Sequence, residues 1–230
     1  TPIRGTEGAS SAVLSPDERE VAFFAGDGVR VAPLDGGPSR TLVEGGGSVW
    51  DWTSDGFVYF TAAAPAGVAR VPATGGGSEA VESLTELREG ELFHVIFSRL
   101  PGGTMGVFQV LRDLTGEGGE VWAIDLETRE RTFLTAGSTP RYASTGHLLF
   151  ATPDGVLMRQ PIDPATAELT GPAVPVLEDL LVAGQALYAV SESGSLIYAA
   201  GRPDAGTGLG ALEPVWVTRS GDAEPVDPSW

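Results

Sequence analysis

With 230 residues, 42% of them hydrophobic, the chain is long enough for one sizeable β domain and too apolar for a disordered segment. Asp and Glu total 31 against 14 Lys and Arg, a formal charge of −17. That excludes the clustered basic face that nucleic acid, heparin or anionic lipid requires, and it permits a cationic partner. There is no cysteine, which excludes disulfides, thiolate metal sites and thiol catalysis and fits either side of a bacterial membrane.

The chain opens at Thr1 without a methionine or a signal-peptide pattern, which points to an excised or processed piece. Pro2-Ile3 reads as the close of an earlier structural unit. The first complete unit follows: Ala12-Val13-Leu14, the turn Ser15-Pro16-Asp17-Glu18, then Val21-Ala22-Phe23-Phe24. After a break at Gly26-Asp27-Gly28 come Val29-Arg30-Val31-Ala32 and, past Asp35-Gly36-Gly37, Arg40-Thr41-Leu42-Val43. Short runs rich in Val and Phe, separated by Pro, Asp and Gly, predict strand, tight turn, strand, loop, strand, tight turn, strand. A second unit repeats this around Ser54-Asp55-Gly56, with Val49-Trp50-Asp51-Trp52 before the turn and Phe57-Val58-Tyr59-Phe60 after it. Glu82 to Glu91, with Leu84 and Leu87, is the one stretch with helical spacing and suits a single turn in a loop.

Three looser copies are centred on Pro101-Gly102-Gly103, Ser144-Thr145-Gly146 and Glu192-Ser193-Gly194. The turns recur roughly every 38 to 48 residues, the period of a four-stranded propeller blade. The fold class is therefore all-β, a β-propeller of four-stranded antiparallel blades in a single domain. The five visible blades span about 9–44, 48–84, 91–136, 139–178 and 185–228. Pro228-Ser229-Trp230 resembles the approach to another blade, so the chain is expected to form part of a six-bladed or larger ring, although a closed five-bladed ring lies within the usual range. No run approaches the roughly 18 apolar residues of a membrane span.

The search for chemistry returns little. No Gly-x-Ser-x-Gly elbow, His-Glu-x-x-His motif or Asp-x-Asp-x-Asp-Gly calcium loop occurs. His94 and His147 sit within apolar strand patterns and read as packed or edge residues. Gly206-Thr207-Gly208-Leu209-Gly210 lacks the spacing and the βαβ setting of a dinucleotide loop. Asp17, Asp35, Asp55 and Asp125 read as turn residues that bond nearby backbone N–H groups. Trp52, Trp122 and Trp216 read as wedges between blades. No catalytic residue, cofactor or metal is expected.

The Ser15-Pro16-Asp17 and Ser54-Asp55-Gly56 turns resemble the Ser-Pro-Asp-Gly turn of TolB-type propellers, with Glu18 in place of glycine in the first and the proline lost in the second. Val31-Ala32-Pro33-Leu34-Asp35-Gly36-Gly37, Ala69-Arg70-Val71-Pro72-Ala73-Thr74-Gly75-Gly76 and Gln160-Pro161-Ile162-Asp163 look like the propeller that follows bacterial membrane-linked serine/threonine kinase domains. This resemblance covers essentially the whole chain. It implies a non-catalytic, extracytoplasmic sensing or protein-binding module of a membrane-anchored bacterial signalling protein. A periplasmic TolB-like adaptor and the propeller cap of a prolyl-oligopeptidase-type peptidase are the alternatives. No kinase loop, His-Arg-Asp or Asp-Phe-Gly sequence is present, so kinase activity is not expected in this chain.

In a propeller, the loops from second to third strands and from blade to blade gather on one rim. Here they carry Glu44, Glu86, Glu89, Glu91, Asp113, Glu117, Asp154, Glu178, Asp179 and Asp204 against Arg88, Arg112 and Arg202. This rim is the expected docking face for a protein or peptide, with a cationic one favoured. The opposite rim is acidic too, so the asymmetry between them is small.

Overall fold

The computed structural model describes residues 3–26, 28–114, 119–191 and 194–201, with the backbone of two further short strands at 215–217 and 223–225. The strands of the first blade are β1 (Ala9–Leu14), β2 (Glu20–Ala25), β3 (Gly28–Pro33) and β4 (Arg40–Glu44). Those of the second are β5 (Val49–Trp52), β6 (Phe57–Thr61), β7 (Val68–Pro72) and β8 (Glu82–Ser83). The third blade comprises β9 (Phe93–Arg99), β10 (Met105–Leu111), β11 (Glu120–Asp125) and β12 (Arg131–Ala136). The fourth comprises β13 (Ser138–Ala143), β14 (His147–Ala151), β15 (Leu157–Pro161) and β16 (Val174–Leu177). Each blade is a four-stranded antiparallel meander in sequence order. Three hairpins follow: β17 (Val182–Ala183) with β18 (Gln185–Ala186), β19 (Tyr188–Val190) with β20 (Leu196–Tyr198), and β21 (Val215–Val217) with β22 (Ala223–Pro225).

Turn chemistry fixes where each meander reverses. Asp17 Oδ1 accepts the Ser15 hydroxyl at 2.7 Å and the Arg19 N–H at 3.2 Å. Asp55 Oδ1 accepts the Phe57 N–H at 3.1 Å, and Asp125 Oδ1 accepts those of Glu127 and Thr128 at 2.8 and 3.2 Å. A carboxylate bonded to backbone N–H groups does in these turns what a following strand residue cannot. Asp35 is exposed beside its two glycines.

The core is distributed over the seams between blades. Leu42, Val29 and Val31 of the first blade pack with Trp52, Val58 and Phe60 of the second. Tyr59, Val68 and Leu84 of the second meet Phe97, Phe108 and Ile124 of the third, with Trp122 against them. The third-to-fourth seam joins Val107 and Val121 to Leu148 and Phe150, and a fourth cluster joins Leu149 and Leu157 to Leu180 and Ala186. No blade can bury both faces alone, so the seams bind neighbour to neighbour. The innermost strands β1, β5, β9, β13 and β18 adjoin one another in succession, which sets the blades radially.

Glu82 to Glu91 holds no helix: Glu82–Ser83 forms β8, a single turn closes at Arg88–Glu91, where the Glu91 N–H donates to the Arg88 carbonyl at 3.0 Å, and a short 3-10 turn falls earlier, at Ser78–Ala80. Arg70 Nε and Arg129 Nη2 both bond Glu82, so strand pairing and two cations hold β8 extended. The Glu192-Ser193 turn, the Gly206–Gly210 loop, both chain ends and the Trp216 side chain lie outside the described residues.

Candidate functional site

An innermost strand has one edge with no partner in its own sheet, and that edge must be satisfied by something else. Side chains of the preceding blade do it repeatedly. Ser11 Oγ accepts the Val49 N–H at 2.9 Å, Gln109 Oε1 that of Thr139 at 2.9 Å, and Thr139 Oγ1 that of Ala186 at 2.8 Å. Nearer the first turn of each blade, Asp51 Oδ2 accepts the Arg99 N–H at 2.9 Å and Ser98 Oγ accepts the Tyr142 N–H at 3.4 Å. Arg141 donates back to the Phe97 carbonyl at 3.3 Å. Asp51, Ser98 and Arg141 occupy matching registers, opposite Tyr59, Val107 and Leu149 on the neighbouring strands.

These polar groups are crowded on the inner strands, and their protonation responds. Burial drives the Asp51 carboxyl up to about 6, against the Arg99 N–H bond and the positive charge of Arg141, which favour its ionised form. Burial also lowers the Arg141 guanidinium and raises the Tyr188 phenol, whose hydroxyl bonds the Thr139 carbonyl at 2.5 Å. The readable signal was an acid inside an otherwise apolar strand, Val49-Trp50-Asp51-Trp52; sequence reasoning passed it over.

A second polar cluster imitates a catalytic triad. His94 Nε2 lies 2.8 Å from Glu91 Oε2, and His94 Nδ1 lies 2.7 Å from Thr85 Oγ1. Burial would raise the Glu91 carboxyl, but the Arg88 N–H, His94 and Arg131 together hold it below its ordinary value. Burial lowers His94 despite Glu91, so the ring is neutral. Two groups meet Nε2: the Glu91 carboxylate, which only accepts, at 2.8 Å and Arg131 Nη1, which only donates, at 3.0 Å, while the Thr85 hydroxyl can serve Nδ1 in either sense. Thr85 Oγ1 in turn accepts the Val68 N–H at 2.8 Å. Side-chain exposure is 0% at His94, 2% at Glu91 and 4% at Arg131, leaving no room for a substrate. Gly67 closes the pocket: a Cβ there would stand 2.3 Å from His94 Nδ1 and 2.4 Å from Thr85 Oγ1. The cluster is a seam between the second and third blades. Among the described residues, no group of three His, Cys, Asp or Glu is placed to hold a metal ion.

The acidic rim is altered by one member. Glu91, expected on the rim, is buried under Arg131 and His94, because ion pairing across the blade satisfies it better than solvent exposure on a crowded loop. Glu44, Glu86, Glu89, Asp154, Glu178 and Asp179 are exposed, and none of them forms an ion pair among the described residues. A hydrogen bond from Thr152 lowers Asp154. Asp113 is half-buried. Arg112 pairs with Glu120 at 3.1 Å, and Arg88 is exposed. Glu117, Asp204 and Arg202 lie outside the described residues.

The same rim carries apolar residues that the sequence reading did not single out. Leu92 is 41% exposed, Phe93 45% and Leu114 83%. They belong to one end of the third blade: the Leu92 N–H donates to the Leu111 carbonyl at 2.8 Å, and Phe93 pairs with Leu111. Strands β9 and β10 have seven residues each, against four in β5 and five in β6. The signal was Leu-Phe immediately after an acidic loop, followed by Leu114 beyond the end of β10.

No protein-family profile matches the chain, and no curated protein sequence does. Solved structures do. TolB from Acinetobacter baumannii superposes with a TM-score of 0.64 at 15% identity, over 96% of this chain and 52% of that one. A putative TolB from Agrobacterium tumefaciens gives 0.66 at 14% identity, over 94% and 79%. A structure from a study of two prolyl endopeptidases gives 0.54 at 18% identity, over 94% of this chain and 38% of that one. The chain thus spans about half the length of the first TolB. At these identities the likeness establishes the fold alone, a β-propeller similar to that of the two TolB structures.

Proposed function

We propose that this propeller is a non-catalytic binding domain whose acidic rim, formed by the loops from second to third strands and from blade to blade, docks a cationic protein or peptide, and that it acts outside the cytoplasm as the sensing part of a membrane-anchored bacterial signalling protein. One observation carries the reading. The carboxylates of the seams are bonded, whereas Glu44, Glu86, Glu89, Asp154, Glu178 and Asp179 stand exposed without an ion pair among the described residues. Unpaired charges of one sign on loops held by a rigid scaffold favour capture of the opposite sign. The fold's likeness to TolB supports an extracytoplasmic place, and the kinase-linked resemblance of the sequence supports a signalling parent. The likeness to the prolyl endopeptidase structure keeps a peptidase cap as the competing parent.

The test is binding of a fluorescent oligolysine at low salt. Reversing Glu86, Glu89, Glu178 and Asp179 to lysine is expected to lower affinity at least tenfold. Reversing Glu18, Asp35, Glu127 and Glu168 on the opposite rim is expected to change it far less. Equal losses from the two sets would mean diffuse attraction by a −17 chain and no docking face.

A further inference from the structure

The geometry points to the end of the third blade as the contact that gives the acidic rim its specificity: Leu92, Phe93 and Leu114 receive a bulky apolar side chain of a basic peptide segment. This rests on the reading above and goes one step further, from charge to sequence preference. Exposed apolar residues are ordinary when scattered. Leu92 and Phe93 stand at the start of β9 beside Leu111, the last residue of β10, and Leu114 follows three residues further along the chain. His94 and Glu91, beside them in sequence, are fully enclosed.

Charge selects the occupant. Glu86 and Glu89 stand exposed on the loop leading into Leu92, with Arg88 the exposed cation between them, while Arg112 is taken by Glu120. A second copy of this chain would bring another −17 against the same rim and is repelled. An anionic lipid surface is repelled for the same reason. Three side chains are also fewer than the roughly 20–30 residues per side of a standard protein interface, and they suit a short segment with one apolar anchor. Lysine or arginine on the segment would meet Glu86 and Glu89 while the anchor settles between Leu92 and Leu114.

Panning a random-sequence peptide display library on the whole chain tests this. Enriched sequences are expected to combine basic residues with a Leu, Phe or Trp. A synthetic peptide of one enriched sequence is expected to bind L92S/L114S about tenfold or more weakly, with the thermal melt unchanged. It is also expected to lose affinity with E86K/E89K, and its salt dependence should become shallower. If such peptides bind L92S/L114S as well as the parent chain, the apolar contact is wrong and the acidic docking face survives. Enrichment of acidic or uncharged sequences would overturn both. A concentration-dependent dimer that disappears in L92S/L114S would assign the patch to a second copy and overturn the peptide.

Discussion

The first two seams of this propeller join strands of similar composition by different chemistry. Between the first and second blades the contact is almost wholly apolar, Leu42, Val29 and Val31 on Trp52, Val58 and Phe60, with Ser11 and Arg40 supplying single bonds across it. Between the second and third blades an apolar layer is flanked by three ionic groups. Thr85–His94–Glu91–Arg131 is enclosed, Asp55–Tyr59–Arg99 ties the second blade's first turn to β9, and Arg70–Glu82–Arg129 joins the outer strands. A seam of the first kind tolerates loss of one member by leaving a cavity. One of the second kind leaves a buried charge unmatched, which is the costlier fault.

The largest expected effect breaks that contrast directly. Glu91→Ala strands Arg131 and removes the carboxylate beside His94, and should destabilise by about 3–5 kcal/mol. Leu42→Ala in the first seam should cost about 2–5 kcal/mol through cavity formation. The two separate further with pH. The Leu42→Ala loss should be constant between pH 5 and 8, because no ionisation changes around it. The Glu91→Ala loss should vary, because that carboxylate affects how readily His94 protonates. Urea melts across this range check both. A loss below about 1 kcal/mol for Glu91→Ala would show that the enclosed cluster contributes little to the seam.

A sharper version sets Asp51 against His94, since burial moves them in opposite directions on the same scale. The folded pKa of Asp51 is raised from 3.8 to about 6, so the folded state holds a proton that the unfolded state releases. Stability from this group is therefore present below pH 4 and lost as pH rises through 6. The folded pKa of His94 is lowered below 6.5, so its contribution runs the other way and is lost as pH falls below that value. Asp51→Asn keeps an acceptor for the Arg99 N–H and removes the ionisation. It should stabilise the chain at pH 8 by at most about 3 kcal/mol, the gain fading as pH falls toward 4. A gain unchanged with pH would mean that the carboxyl titrates alike in the folded and unfolded chain, and burial would then not hold its proton.

How much of this could be read from the sequence follows the same division. The blades were legible because their signals are local: alternating Val and Phe, a Pro-Asp or Asp-Gly turn, and a recurring period. Trp52 and Trp122, read as wedges, pack in the first and second seams. The ionic seams were not legible, since Arg131 lies 40 residues from Glu91 and Arg99 lies 44 from Asp55, and no short pattern links them. Glu91 read as one more acid in an exposed loop for that reason. Asp51 and Arg141 are brought into matching registers only by the ring itself. Of the rim, exposure of the acids could be anticipated from loop position, whereas Leu92 and Phe93, 41% and 45% exposed, sit in an apolar run that reads as buried strand.

The smallest effect concerns the turn that first revealed the repeat. Glu18 sits where the related turn has glycine, and its φ is 55°, in the left-handed region beside the 85° of Gly56 in the second blade. The Glu18 N–H still donates to the Ser15 carbonyl at 2.9 Å, so the turn closes in spite of the side chain. A non-glycine residue there costs roughly 1–2 kcal/mol, while glycine would add about 0.5–1 kcal/mol of unfolded-state entropy to be lost on folding. Glu18→Gly should therefore raise stability by at most about 1.5 kcal/mol, read as a small rise in melting temperature. The rise should be independent of salt, because the relief is conformational and Glu18 forms no ion pair among the described residues. A rise confined to low salt would instead assign it to one fewer negative charge on a chain already at −17.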